Sequence, residues 1–201
     1  MSYDLRPSFT PAPTGTHRAV FTEFVDIGSQ AGKYGTKRQA RFGFVLPDEP
    51  MQDGRPYKVG RLMALTYGKR AAVRDLVNAL AGRTLSDEEQ ERFDPRSLLG
   101  RTCMVTVEHG ERDGTTYANI ASFTALPKGM AAPQVDGIET TYFSLNAGEF
   151  NAQGFYELPS WLQRYIEASP EYVAATRTGE PSPQPVAPPS KQPAKPGRTE
   201  F

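Results

Sequence analysis

The chain has 201 residues, with 23 basic and 23 acidic side chains and a formal net charge of zero, so no global positive field announces a nucleic-acid partner, and the length allows one domain of about 100–150 residues plus extensions. A single cysteine, Cys103, excludes an intramolecular disulfide, and two histidines, His17 and His109, offer no zinc-ligand spacing. No apolar run is long enough to span a membrane and the opening MSYDLRPSF lacks the basic-then-apolar pattern of a signal peptide, so the expectation is a soluble intracellular protein.

Residues 1–15 carry Pro7, Pro11, Pro13 and Gly15 and read as an extended leader. Residues 16–27 form a strand that is apolar at both parities, with Ala19, Phe21 and Val25 on one side and Val20 and Phe24 on the other. That pattern fits a long strand whose buried face changes partway. Residues 37–46 alternate cleanly, Ala40, Phe42, Phe44 and Leu46 against Lys37, Gln39, Arg41 and Gly43, which predicts a half-exposed second strand. Residues 57–67 read as a third strand with no assignable facing.

The period then changes. Val73, Leu76, Val77 and Leu80 recur at helical spacing over residues 70–81, with Gly82 placed to stop the helix. Ser86 and Glu89 match a capping box that opens a short polar helix. Asp94-Pro95 reads as an N-cap followed by proline at the first helical position. Residues 102–109 and 115–125 flank Asp113-Gly114, a strong hairpin signal, with Cys103, Val105 and Val107 on one side of the first strand.

This order predicts a mainly β protein with helices: a five-stranded OB-fold barrel over residues 16–130, with its helical insert between strands 3 and 4. A mixed α+β sandwich satisfies the same pattern less closely. Residues 131–173 form an acidic and aromatic C-terminal arm. Within it Tyr142, Phe143, Leu145, Phe150 and Phe155 are candidates for burial, and Trp161, Leu162, Tyr165 and Ile166 share one helical stripe. Residues 174–201 are rich in proline and poor in apolar side chains, which predicts a disordered tail.

The zero net charge hides a segregation. Between positions 28 and 47 the charged side chains are Lys33, Lys37, Arg38 and Arg41, and between 54 and 74 they are Arg55, Lys58, Arg61, Lys69, Arg70 and Arg74. In an OB-fold these windows fall on strands 2 and 3 and the loop joining strands 1 and 2, the usual face for single strands. Stacking on aromatic rings and phosphate attraction by Lys and Arg are the two ingredients such a face needs. The expected nucleic-acid residues are therefore Lys33, Tyr34, Lys37, Arg38, Gln39, Arg41, Arg61, Tyr67, Lys69, Arg112 and Tyr117. The plain alternative is a solvated basic strand, with Tyr57, Tyr67 and Tyr117 in the core.

Catalytic readings have less support. Glu108 and His109 are adjacent in a strand and point to opposite faces, Cys103 is placed like a buried apolar residue, and the acids at 87–91 suit a helix N-terminus. No phosphate loop, nucleophile elbow or metal-ligand motif is present, so no enzyme, cofactor or metal is expected.

Three segments, PAPTGTHRAVFTEFVDIG at 11–28, LLGRTCMVTVEHGERDGTTYANIASFTALPKGM at 98–130 and LPSWLQRYIEASPEY at 158–172, resemble a family of phage and prophage single-stranded-DNA-binding replication proteins of the OB-fold type. The resemblance implies a sequence-tolerant single-stranded-DNA-binding protein that supports phage replication or recombination in the cytoplasm of a bacterial host, and it supplies no catalytic residues. Its implied partners are single-stranded DNA and replication or recombination proteins, while the acidic arm with its Trp161 stripe is a candidate for self-association into a homo-oligomer or for packing on the barrel. Many single-strand-binding proteins end in an acidic run closed by an aromatic residue. Here Phe201 is present and the acidic run is not. Trp161, Tyr165 and Phe201 are the expected protein-contact residues. A rival reading is an OB-like interaction module that binds a replisome or host protein through the arm.

Overall fold

A computed structural model describes residues 10–33, 35–66, 71–92, 94–133 and 137–177. Six strands, β1 (Gly15–Gly32), β2 (Gly35–Pro50), β3 (Pro56–Ala64), β4 (Thr102–Arg112), β5 (Thr115–Thr124) and β6 (Thr141–Phe143), form one sheet. Its path is β3-β2-β1-β4-β5, antiparallel throughout, and β6 joins β1 in parallel beyond the point where β4 leaves it. The helices are α1 (Ala72–Ala81), α2 (Asp87–Glu91), α3 (Ala152–Glu157), α4 (Ser160–Glu167) and α5 (Pro170–Arg177), with a 3₁₀ turn at Pro95–Leu98.

Local chemistry sets the element ends. Gly82 adopts φ 69° and its N–H caps the Ala79 carbonyl. Ser86 and Glu89 make both bonds of the capping box. Asp94 accepts from the Arg96 N–H ahead of Pro95. At the β4–β5 hairpin, Asp113 and Gly114 take φ 51° and 73° between the paired residues Arg112 and Thr115, the two positive values of a type I′ turn.

The sheet has a core on each face. On the first, Phe21, Phe42, Phe44, Val105 and Phe123 pack with α1 through Leu76 and Val77. On the second, Val25 and Ile27 of β1 pack with Phe143, Phe155, Leu162 and Ile166 of the arm. The arm is thus three helices and a strand laid on the sheet, all five of its aromatic and leucine candidates are buried or packed, and its stripe divides: Leu162 and Ile166 are buried while Trp161 and Tyr165 are exposed. The leader also packs, since Ala12 is buried in the first core and its carbonyl meets His109 Nε2 at 2.8 Å.

Bulges decide which residues reach which core. The β1–β2 register slips once between Phe21 and Glu23 and again between Asp26 and Gly28. The extra residue Thr22 sends Phe24 to the same core as Ala19 and Phe21, and turns Val25 to the other. Alternation without a bulge puts Val25 with Ala19 and Phe21, and the structure corrects that. A third slip at Ala121 lets Ile120 and Phe123 both face the first core.

The sheet is open. No β3–β5 ladder closes it into the expected barrel among the described residues. A side chain spans part of that seam instead: Arg61 Nη1 donates to the carbonyl of Ala121, the bulged residue of β5, at 3.1 Å.

Candidate nucleic-acid interface

Because β3 is an edge strand, its outer rim faces β5 across the seam. An open cleft of about 1120 Å³ lies there. Tyr57, Lys58 and Gly60 of β3, Tyr117 and Ala118 of β5, Arg41 and Val45 of β2 and Trp161 of α4 line it, with Arg41 and Trp161 together at one place. Tyr57 also packs against the first core, and Tyr117 is 44% exposed.

The cleft at Arg41 is built from two glycines. Gly43 of β2 and Gly60 of β3 are directly paired. The Glu23 side chain lies across Gly43, and the Arg41 guanidinium lies flat on Gly60, with Cζ, Nη1 and Nη2 each 2.6 Å from where a β-carbon would stand. Arg41 Nε donates to Glu23 Oε1 at 2.5 Å, and the guanidinium carbon sits 5.2 Å from the centroid of the Trp161 ring. Side-chain-free backbone at two adjacent positions makes the trough that holds this ion pair, and the indole roofs it.

The electrostatics are more balanced than the basic windows suggest. Arg41 is paired with Glu23, and Arg55 with Asp53 at 2.5 Å. The hydrogen bond with Arg55 pulls Asp53 below the usual carboxylate range and, reciprocally, raises Arg55. Glu139 also lines the cleft. Lys58 is the one lining cation with no ion pair among the described residues.

Of the residues expected from sequence to meet nucleic acid, the structure brings Arg41 and Tyr117 into this cleft. Lys33 and Lys37 are exposed at the distal β1–β2 hairpin, and Gln39 lies on β2 between Lys37 and Arg41. Arg38 is ion-paired to the buried Asp26 and also donates to Asn146 Oδ1 at 2.9 Å, so it serves the junction of β1, β2 and the arm. That hydrogen bond with Asp26 raises the Arg38 pKa against the opposing effect of burial. Arg61 is turned to the seam, and Arg112 is fully out at the hairpin tip, 3.7 Å from Asp113. Tyr34, Tyr67 and Lys69, and the protein-contact candidate Phe201, lie outside the described residues.

Four cations and rings of the cleft were not among the expected nucleic-acid residues: Arg55, Tyr57, Lys58 and Trp161. A signal for the first three exists in the run Arg55-Pro-Tyr-Lys-Val-Gly, where Lys58 and Gly60 alternate with the core residues Tyr57 and Val59. Trp161 carries no such signal, because only the docking of α4 brings it to β2 and β3.

Of the groups weighed for catalysis, His109 Nε2 meets the Ala12 carbonyl, Glu89 completes the capping box at Ser86 and Cys103 is buried. Burial pushes the Cys103 thiol up to about 12, which leaves it unreactive. Among the described residues no cluster of three His, Cys, Asp or Glu side chains could hold a metal ion, and no helix is long and apolar enough to cross a membrane. Compared with models of known protein families and with curated proteins, the chain matches none.

Proposed function

We propose that this protein binds single-stranded DNA with little sequence preference and serves phage replication or recombination without catalysis. The observation that carries the reading is the convergence of three aromatic rings, Tyr57, Tyr117 and Trp161, with Arg41, Arg55 and Lys58 on one open cleft. Rings give sequence-tolerant stacking and cations give phosphate attraction, the combination that single strands require. The strand order β3-β2-β1-β4-β5, with α1 between β3 and β4, supports an OB-type Greek-key barrel left open at the β3–β5 seam. Because two of the three cations are ion-paired, stacking outweighs phosphate contact in this proposal.

Fluorescence anisotropy with labelled oligo-dT and with duplex of equal length, at two salt concentrations, tests it. Saturable binding of oligo-dT in preference to duplex is expected, and equal affinity for both or none for either overturns it. A protein-interaction module is the second reading, favoured by Tyr156 and Tyr165, which stand 73% and 45% exposed on the arm. Replacing Tyr156, which does not line the cleft, separates the readings. Removing the arm from residue 138 onward does not, because Val25 and Ile27 lose their cover with it.

A further inference from the structure

Trp161 projects from a helix whose other side is fixed. Leu162 and Ile166 are 1% and 0% exposed in the second core, while Trp161 remains 36% exposed and lines the cleft. Two contacts set the orientation of the ring. Arg41 stands over it at 5.2 Å, and Tyr165 meets it at 6.3 Å and 89°, edge to face. Arg41 is in turn held by Glu23 and seated on Gly60. A large, flat, partly exposed π-surface has thus been immobilised before any ligand arrives, in a cleft whose unpaired cation is Lys58.

We propose that Trp161 is the principal nucleobase-stacking platform of the cleft, so that the C-terminal arm is part of the single-strand site. This rests on the single-strand reading above and adds to it a specific residue and a division of labour. The chemistry selects the occupant. An unpaired nucleobase offers a flat π-face with a phosphodiester attached, matching the indole and Lys58, whereas in a duplex the base faces are already stacked on their neighbours. Preorganisation matters because a ring that is already fixed loses little rotamer freedom when a base lands on it. The glycine trough finds its use here, since a side chain at Gly43 or Gly60 displaces Glu23 or Arg41 and with it the support of the ring.

Trp161 is the only tryptophan in the 201 residues, so its emission reports the site directly. The full chain is titrated with unlabelled oligo-dT while emission is followed, in parallel with anisotropy of labelled oligo-dT. Quenching that saturates at the anisotropy midpoint is expected. W161A weakens binding by about 5- to 150-fold, the range for loss of one stacked base, and W161F recovers most of it while far-UV circular dichroism stays unchanged. Binding by anisotropy with unchanged emission, and W161A affinity within about twofold of the parent, overturns the assignment of Trp161 and leaves single-strand binding standing. Absence of any oligo-dT binding overturns both.

Discussion

Gly43 and Gly60 face each other across the β2–β3 ladder, and neither position has room for a side chain: a β-carbon would stand 2.7 Å from Cβ of Glu23 at the first and 2.6 Å from the Arg41 guanidinium at the second. The two obstacles differ in kind. Cβ of Glu23 is fixed to the β1 backbone, whereas the guanidinium is the far end of a flexible chain. Gly43→Ala should therefore destabilise the fold by about 1–3 kcal/mol, the usual cost of overpacking. Gly60→Ala should be close to neutral, because reduced freedom of the unfolded chain, worth about 0.4–1 kcal/mol, offsets the displacement of Arg41. Urea unfolding measures both, and a shift in Trp161 emission for Gly60→Ala shows that Arg41 has moved.

Asp26 is 2% exposed and accepts from the Gly28 N–H at 2.9 Å, the Leu145 N–H at 3.2 Å and the Arg38 guanidinium. Asp26→Ala leaves two backbone donors and a partly buried cation without their acceptor. A loss of about 3–5 kcal/mol is expected, with Asp26→Asn costing less because its amide oxygen still accepts. Chemical denaturation of the two variants checks the order.

Salt dependence distinguishes paired from unpaired cations. Lys58→Ala should flatten the slope of log affinity for oligo-dT against log salt by about 0.7, one phosphate contact on a single strand. Glu23→Gln should steepen it by about the same amount, because it releases Arg41 from its carboxylate partner. Sequence alone leads to a different expectation, that replacing Lys37 and Arg41 together removes two contacts. Arg41 is already neutralised and Lys37 sits at the distal hairpin, so the double replacement should change the slope little.

Acid should loosen the arm through Glu171. Burial pushes this carboxyl up, but Ser29 Oγ at 2.5 Å, the Ser29 N–H at 2.8 Å and the charge of Arg38 outweigh it, so the folded value lies below the ordinary 4.5. A lowered folded value means a stabilising contribution that is complete above 4.5 and is lost as pH falls through the lower folded value. Amide protection factors of α5 and of Ser29, referred to the intrinsic exchange rate at each pH, should fall over that acid window. Glu171→Gln should remove most of the pH dependence.

Leu162→Ala opens a cavity in the second core, where the side chain is 1% exposed. A cost of about 2–5 kcal/mol follows from burial of that size. Differential scanning calorimetry should record it as a lower midpoint for a single transition.

What could be read from sequence followed how local the determining chemistry is. The Asp113-Gly114 turn, the Ser86 and Glu89 capping box, the stop at Gly82 and the alternation of Ala40, Phe42, Phe44 and Leu46 each involve residues within a few positions, and all are present. The bulges at Thr22, Ile27 and Ala121 depend on the partner strand, so parity counting along one strand misplaces Val25 and puts Ile120 and Phe123 on opposite sides, whereas both face the first core. The basic windows misled for a similar reason. Arg38 and Arg41 face Asp26 and Glu23, acids that lie just before position 28 and fall opposite only once the β1–β2 hairpin is closed. Trp161 was legible as part of an apolar stripe with Leu162, Tyr165 and Ile166, but its exposure and its place beside Arg41 depend on how the arm docks.

The double service of β1 has a kinetic side. One strand supplies Ala19, Phe21 and Phe24 to one core and Val25 and Ile27 to the other, and through Asp26 it fastens Leu145, 119 residues away in sequence. Neither core can be completed until β1 is in register with partners from both ends of the chain, so the nucleus must close long loops before it gains much burial. High contact order of this kind makes for slow folding. It also binds the sheet and the arm into one cooperative unit: melting either exposes the same strand, and partial unfolding of the arm alone leaves Val25 and Ile27 in water.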